Sequence, residues 1–130
     1  MAQSLLHTFL VIKPDQRVAT EKADSHLYER LDRDYAGFTG CELVSVYPFE
    51  ESWSSWEIHP NGDEVVVLLS GQVELVLERS RGNQSVTLSR QGEFAVVPQN
   101  TWHTVKMNTP STLLFITPGE GTLSKPSQLT

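Results

Sequence analysis

The sequence predicts an all-β domain, an antiparallel sandwich or barrel with one short helix near its amino terminus. Two observations predict it. Short apolar or alternating runs recur along the chain, each closed by Gly, Pro, Asn or Ser, the rhythm of sandwiches and barrels. Only one stretch, Leu27, Leu31 and Tyr35, has helical spacing. A chain of 130 residues suits one domain with a real core.

The elements follow in order. His7 to Ile12 reads as a strand stopped by Lys13-Pro14-Asp15. Being amino-terminal and rich in Phe, Val and Ile, it is expected at a sheet edge, where it could pair with a second subunit, so a homodimer is expected. Asp24-Ser25 offers an N-cap to the helix, Glu29 and Arg33 are spaced to pair, and Gly37 and Gly40 end it. His26 at its start is expected to be exposed. In Cys41 to Phe49, Leu43, Ser45 and Tyr47 share one face and Glu42, Val44 and Val46 the other, and Pro48 limits the strand or puts it on an edge. A loop from Glu50 to Ser55 brings Trp53 and Trp56 toward the segment around which the chain is organised, Glu57-Ile58-His59-Pro60-Asn61-Gly62-Asp63-Glu64.

On an extended strand Glu57 and His59 point the same way. The Pro60 to Asp63 cluster is turn chemistry, which folds Glu64 back beside His59. Behind it, Val65 to Leu69 reads as a strand buried on both faces, in a hairpin-like reversal ending at Gly71. Gln72 to Arg79 alternates, with Val73, Leu75 and Leu77 on one face. Ser85 to Ser89 and Gly92 to Pro98 continue the pattern. In Trp102 to Met107, His103, Val105 and Met107 lie opposite Trp102, Thr104 and Lys106. Thr112 to Thr117 is the last strong strand, and the polar residues beyond Pro118-Gly119 read as a loosely ordered tail. The domain reading is an extension over 1–40, a barrel over 41–118 and a tail over 119–130.

Composition narrows the function. With a formal charge of −6 and ten scattered Lys and Arg, no basic face for nucleic acid can be assembled. No basic leader precedes an apolar core at the start, and no run approaches the ~20 apolar residues that span a bilayer, so a cytoplasmic protein without membrane partners is expected. The single Cys41 permits no internal disulfide and suits a buried position. There is no Cys-His or Ser-His-Asp grouping and no Gly-rich phosphate loop.

Two spaced motifs remain. His59, four residues, Glu64, six residues and Gly71 resemble the first motif of the cupin superfamily; Gly92, five residues, Pro98 and then His103 resemble the second. The chain is similar to small single-domain members of that superfamily. It departs from the pattern at Glu57, in place of the first histidine, at Glu51 and Asn100, in place of glycines, and at Met107, in place of asparagine. The resemblance implies a double-stranded β-helix, the jelly-roll barrel, with His59, Glu64 and His103 as metal ligands. It also implies dioxygenase, isomerase or lyase chemistry. Two imidazoles and a carboxylate suit a divalent transition metal, Fe, Mn, Ni or Zn, with open positions. Glu57 is either a fourth ligand, neutralising the ion and weakening its acidity, or a catalytic general base. Trp53, Trp56, Met107 and Phe115 are candidates for an apolar substrate wall, and strand parity disfavours Trp102. The expected ligand is a small polar or anionic molecule, which Lys13, Arg90 and Lys106 could meet. The alternatives are a non-catalytic binding or sensor protein, and a structural dimer whose polar cluster is vestigial.

Overall fold

Alternating burial organises the chain into two facing sheets. The computed structural model describes residues 1–127. The larger sheet comprises β1 (Thr8–Ile12), β2 (Val18–Lys22), β3 (Glu42–Phe49), β5 (Glu64–Ser70), β8 (Phe94–Val97) and β10 (Ser111–Thr117). Their order is β2-β1-β3-β10-β5-β8. The smaller comprises β4 (Ser55–Ile58), β6 (Val73–Leu77), β7 (Gln84–Leu88), β9 (His103–Lys106) and β11 (Leu123–Pro126), ordered β11-β4-β9-β6-β7. Neighbouring strands are antiparallel. This is the predicted cupin-like β-sandwich with one short helix, α1 (Leu27–Asp34).

Between the sheets, Val66, Leu68, Leu113 and Phe115 from one side meet Val73, Leu75, Leu77 and Val105 from the other. Each such side chain contributes roughly 1.5–3 kcal/mol of burial free energy. A second cluster seats α1, through Leu27 and Leu31, on Phe9 and Val11 of β1 and Leu43 of β3, with Cys41 buried beside them.

Several expectations are corrected. β1 is not an edge strand, because β2 and β3 take its two sides, so it cannot also pair with a second subunit. β2 escaped the sequence reading because its Val-Ala-Thr-Glu-Lys residues are only half-buried on one face. Glu21 of that strand bonds Arg30 of α1 at 2.9 Å, which ties the edge to the helix. Asp24 does not cap α1 in the usual way; it accepts from the His26 amide and the Arg30 guanidinium. Arg33 turns to Asp34 rather than Glu29.

β5 is buried on one face only: Glu64, Val66 and Leu68 point inward, while Val65, Val67 and Leu69 are half-exposed. The 57–71 stretch is no hairpin, since β4 and β5 lie in opposite sheets and the Pro60 to Asp63 turn crosses between them. Gly71 makes the return crossing at φ +88°, where an added Cβ would collide with the Ser111 side chain and lie 2.7 Å from the Pro110 carbonyl. The tail is ordered as far as Ser127: β11 pairs with β4 from Leu123↔Ile58 to Pro126↔Ser55. The last residues of the expected tail, 128–130, lie outside the described residues. Among the described residues no helix is long and apolar enough to cross a membrane.

Candidate metal centre

The register of the smaller sheet starts the site. Glu57 on β4 stands opposite His103 on β9, which stands opposite Leu77 on β6. His59 follows β4 by one residue, and Glu64 opens β5 in the other sheet. The turn joining them is pinned from both sides. Asn100 donates its amide to the His59 carbonyl, and Gln99 bonds Asp63 and the Pro60 carbonyl. Asn61 donates to the Glu120 carbonyl.

These elements bring two imidazoles onto one carboxylate. His59 Nε2 lies 3.2 Å from Glu64 Oε2, and His103 Nε2 lies 3.0 Å from Glu64 Oε1. The side chains of His59, Glu64 and His103 are 4%, 3% and 0% exposed. Glu57 stands at the open side, 36% exposed, with Oε1 4.0 Å from His59 Nε2. Donor atoms of Glu57, His59 and His103 all lie within 4.8 Å of one another.

The outer hydrogen bonds decide which way the rings face. His103 Nδ1 contacts the Thr101 carbonyl at 3.1 Å, and a carbonyl only accepts, so Nδ1 carries the hydrogen. Thr122 Oγ1 donates its one hydrogen to the Gly119 carbonyl, so it accepts from His59 Nδ1 at 2.8 Å. A neutral ring in either position therefore aims an Nε2 lone pair at Glu64. Beyond one another, His59 Nε2, His103 Nε2 and Glu64 Oε1 have no hydrogen-bond partner. Two lone pairs facing a carboxylate repel unless a cation lies among them, and an unpaired buried polar group is costly. The donor set fits a divalent metal, with Thr101, Thr117 and Thr122 as supports; Thr117 Oγ1 donates to Glu64 Oε2 at 2.6 Å.

Without a metal, imidazole protons bonded to Glu64 play the cation's part. Burial pushes the Glu64 carboxyl up, but the two imidazoles outweigh it and hold the group down at about 2. Burial alone would lower the His103 ring, yet Glu64 raises it above its ordinary value. Glu57 is raised, first by burial and then by the charge of Glu64.

Beside this cluster opens a cavity of about 1040 Å³, whose lining includes Glu57, His59 and Glu64. Phe115 and Trp53 form its wall with Tyr47 and Phe49, the ring centroids of Trp53 and Phe115 lying 5.9 Å apart. Trp56 and Met107 are placed outside it. Trp56 precedes Glu57 on the strand, so it is turned to the other side, buried beneath Lys125. Met107 lies beyond the end of β9, its backbone clamped by Ser52, and borders a separate cavity of about 350 Å³. Trp102 faces outward under Lys125, 4.5 Å from the ring centre. Lys13, Arg90 and Lys106 do not line the large cavity. The sequence reading missed Thr117 and Thr122, which carry no motif, and Tyr28, supplied by α1. Tyr47 and Ser45 were legible as the inward face of β3.

Residues 43–117 match the cupin domain model. The chain belongs to the cupin domain family. No curated protein matches it. Among solved structures, this cupin is similar to an oxalate oxidase at 17% identity and a TM-score of 0.52, over 63% of its own chain and 45% of the oxidase. Bacillus subtilis oxalate decarboxylase, a protein with Mn(II) centres, matches at 18% identity and a TM-score of 0.52, over 65% of this chain and 23% of that one. Hydroquinone 1,2-dioxygenase from Sphingomonas sp. TTNP3, with 4-hydroxybenzoate bound, matches at 19% and 0.50, over 58% of each chain. At these identities the likeness is one of fold. Thr122, which orients His59, and Tyr28, Leu31 and Phe38, which line the cavity, lie outside the matched segment.

Proposed function

We propose that this cupin holds a divalent transition metal through His59, Glu64 and His103, with Glu57 as the cavity-facing fourth donor, and acts as a metal-dependent enzyme on a small molecule in the adjoining cavity. One observation carries the reading: with their Nδ1 atoms held from outside, two buried imidazoles turn Nε2 onto Glu64 at 3.2 and 3.0 Å, and neither Nε2 has a partner beyond the cluster. When bound, Fe, Mn, Ni or Zn supplies Lewis acidity, and Fe or Mn also oxygen chemistry. Thr101 and Thr122 hold the tautomers that keep both Nε2 atoms inward, and Thr117 restrains Glu64. Glu57 alone borders both the donor cluster and the open cavity while being partly solvated, the position for taking a proton from a bound ligand. The structural neighbours named above are an oxidase, a decarboxylase and a dioxygenase, which supports small-molecule chemistry at the level of class.

A second reading, a non-catalytic small-molecule binding cupin, is favoured by Glu57 itself. With two carboxylates the ion is neutralised and its acidity falls. Elemental analysis of protein purified without chelator or affinity-tag metal, beside a His103→Ala control and with oxygen uptake recorded, tests both. Near-stoichiometric metal, lost in the variant, is the expected result. No uptake after reloading with Fe, Mn, Ni and Zn overturns the metal site. Metal without turnover selects the binding reading.

A further inference from the structure

We propose that the cavity selects an organic cation, an amine or ammonium carrying an apolar body. This deepens the functional reading above by naming its ligand class, within the small polar or anionic molecules expected from sequence a polar cation rather than an anion.

The first ground is charge. Asp32, Glu50, Glu51, Glu57 and Glu64 all line the cavity, and among the described residues no lysine or arginine does. These charges are graded along its depth. Glu64 is buried in the donor cluster, Glu57 stands at its edge, and Asp32, Glu50 and Glu51 are exposed at the mouth. A divalent ion offsets Glu57 and Glu64, so the carboxylates at the mouth keep the cavity negative whether or not metal is bound. Away from the metal position, a ligand carboxylate meets only carboxylates, with no guanidinium or ammonium to receive it.

The second ground is the wall. Tyr47, Phe49 and Trp53 each lie against Phe115, with centroids 6.3, 6.2 and 5.9 Å away. Trp53 continues this wall to His103 at 6.1 Å. Aromatic faces attract cations and bury an apolar body, and they do more of the former where carboxylates replace bulk water. At the far side, Tyr28 of α1 and Tyr47 of β3 join their hydroxyls at 2.7 Å. That pair consumes one of its two hydrogens and leaves oxygen lone pairs, acceptors for an ammonium N–H.

The test uses three probes of one shape and different charge: 2-phenylethylamine, 2-phenylethanol and phenylacetate. Each is titrated calorimetrically into the full chain, once chelator-treated and once metal-loaded. Charges several ångströms apart in a half-wetted mouth are worth roughly a factor of two to ten each. The amine is therefore expected to bind at least about tenfold more tightly than phenylacetate in both forms, with the alcohol between. The gap should shrink between about 20 mM and about 500 mM salt. The exposed-site variant Asp32→Asn/Glu50→Gln/Glu51→Gln should narrow it several-fold and leave metal content unchanged. Phenylacetate binding as tightly as the amine to either form overturns the proposal, as does no saturable amine binding up to about 10 mM. An unmoved ratio in the variant does the same. Metal content is read separately. A protein that takes no metal yet prefers the amine loses the metal site and keeps the cation cavity; a metalloprotein that prefers phenylacetate does the reverse.

Discussion

Replacing Thr122 by valine removes one hydroxyl and nearly preserves shape, so the strand that follows it should still pair with β4. The hydroxyl sits between the Gly119 carbonyl, to which it donates at 2.9 Å, and His59 Nδ1, from which it accepts at 2.8 Å. Without it, the imidazole of a residue only 4% exposed keeps an N–H with no acceptor, and the other tautomer, with its hydrogen on Nε2 facing Glu64, becomes competitive. Losing such an outer partner typically costs ten- to a hundredfold in metal affinity, about 1.4–2.7 kcal/mol. The fold should lose less, about 1 kcal/mol, the net worth of one hydrogen bond. Competition against a chromophoric chelator measures the affinity, and urea unfolding of the metal-free protein measures stability. Thr122→Ser, which restores the hydroxyl, should bring the affinity back. A valine variant with native affinity, or a serine variant as weak as valine, would refute the claim that Thr122 sets the direction of the His59 lone pair.

The other expectations are simpler. Gly71→Ala forces a side chain into the left-handed region and against Ser111, so it should cost about 2–4 kcal/mol by urea unfolding; an unshifted midpoint would mean the crossing is looser than its geometry implies. Tyr35 and Tyr47 are raised by burial, Tyr35 to about 12 with help from Glu21. A folded-state value above the unfolded one makes the neutral phenol the stabilised form. Its contribution is complete below the unfolded value of about 10 and disappears as pH rises through the folded one. Stability should therefore fall from pH 10 toward 12 for Tyr35, and phenolate absorbance should appear later in the native protein than in urea. Ordinary titration of both in the folded state would contradict their burial.

Much of this molecule is legible in its sequence because the physics involved is local. Side-chain alternation places Val73, Leu75 and Leu77 on one face whatever the partner strand is, and the buried residues of β6 are those. The spacing of Glu57, His59, Glu64 and His103 singles out the residues that the structure assembles into one cluster. The same strand parity could have excluded Trp56, next to Glu57, from the cavity wall.

What the tertiary structure alone decided is non-local. β2 and β11 lack apolar periodicity and exist through their ladders, β2 to β1 and β11 to β4. β11 is further held where Lys125 bridges Glu78 at 3.2 Å and covers Trp102. No local rule says that β4 and β5 enter different sheets, and that crossing is what sets Glu64 between two imidazoles. Thr122 became a partner of His59, 63 positions away, only because the strand after it paired with β4. The sign of the cavity likewise followed from which side chains the fold turned inward. Lysines and arginines occur along the chain, but among the described residues packing faced none of them into the site, where the charged groups are all acids. Local chemistry thus determined the candidate ligands and the strands that carry them. Long-range pairing decided their orientation, their outer hydrogen bonds and the charge their ligand must match.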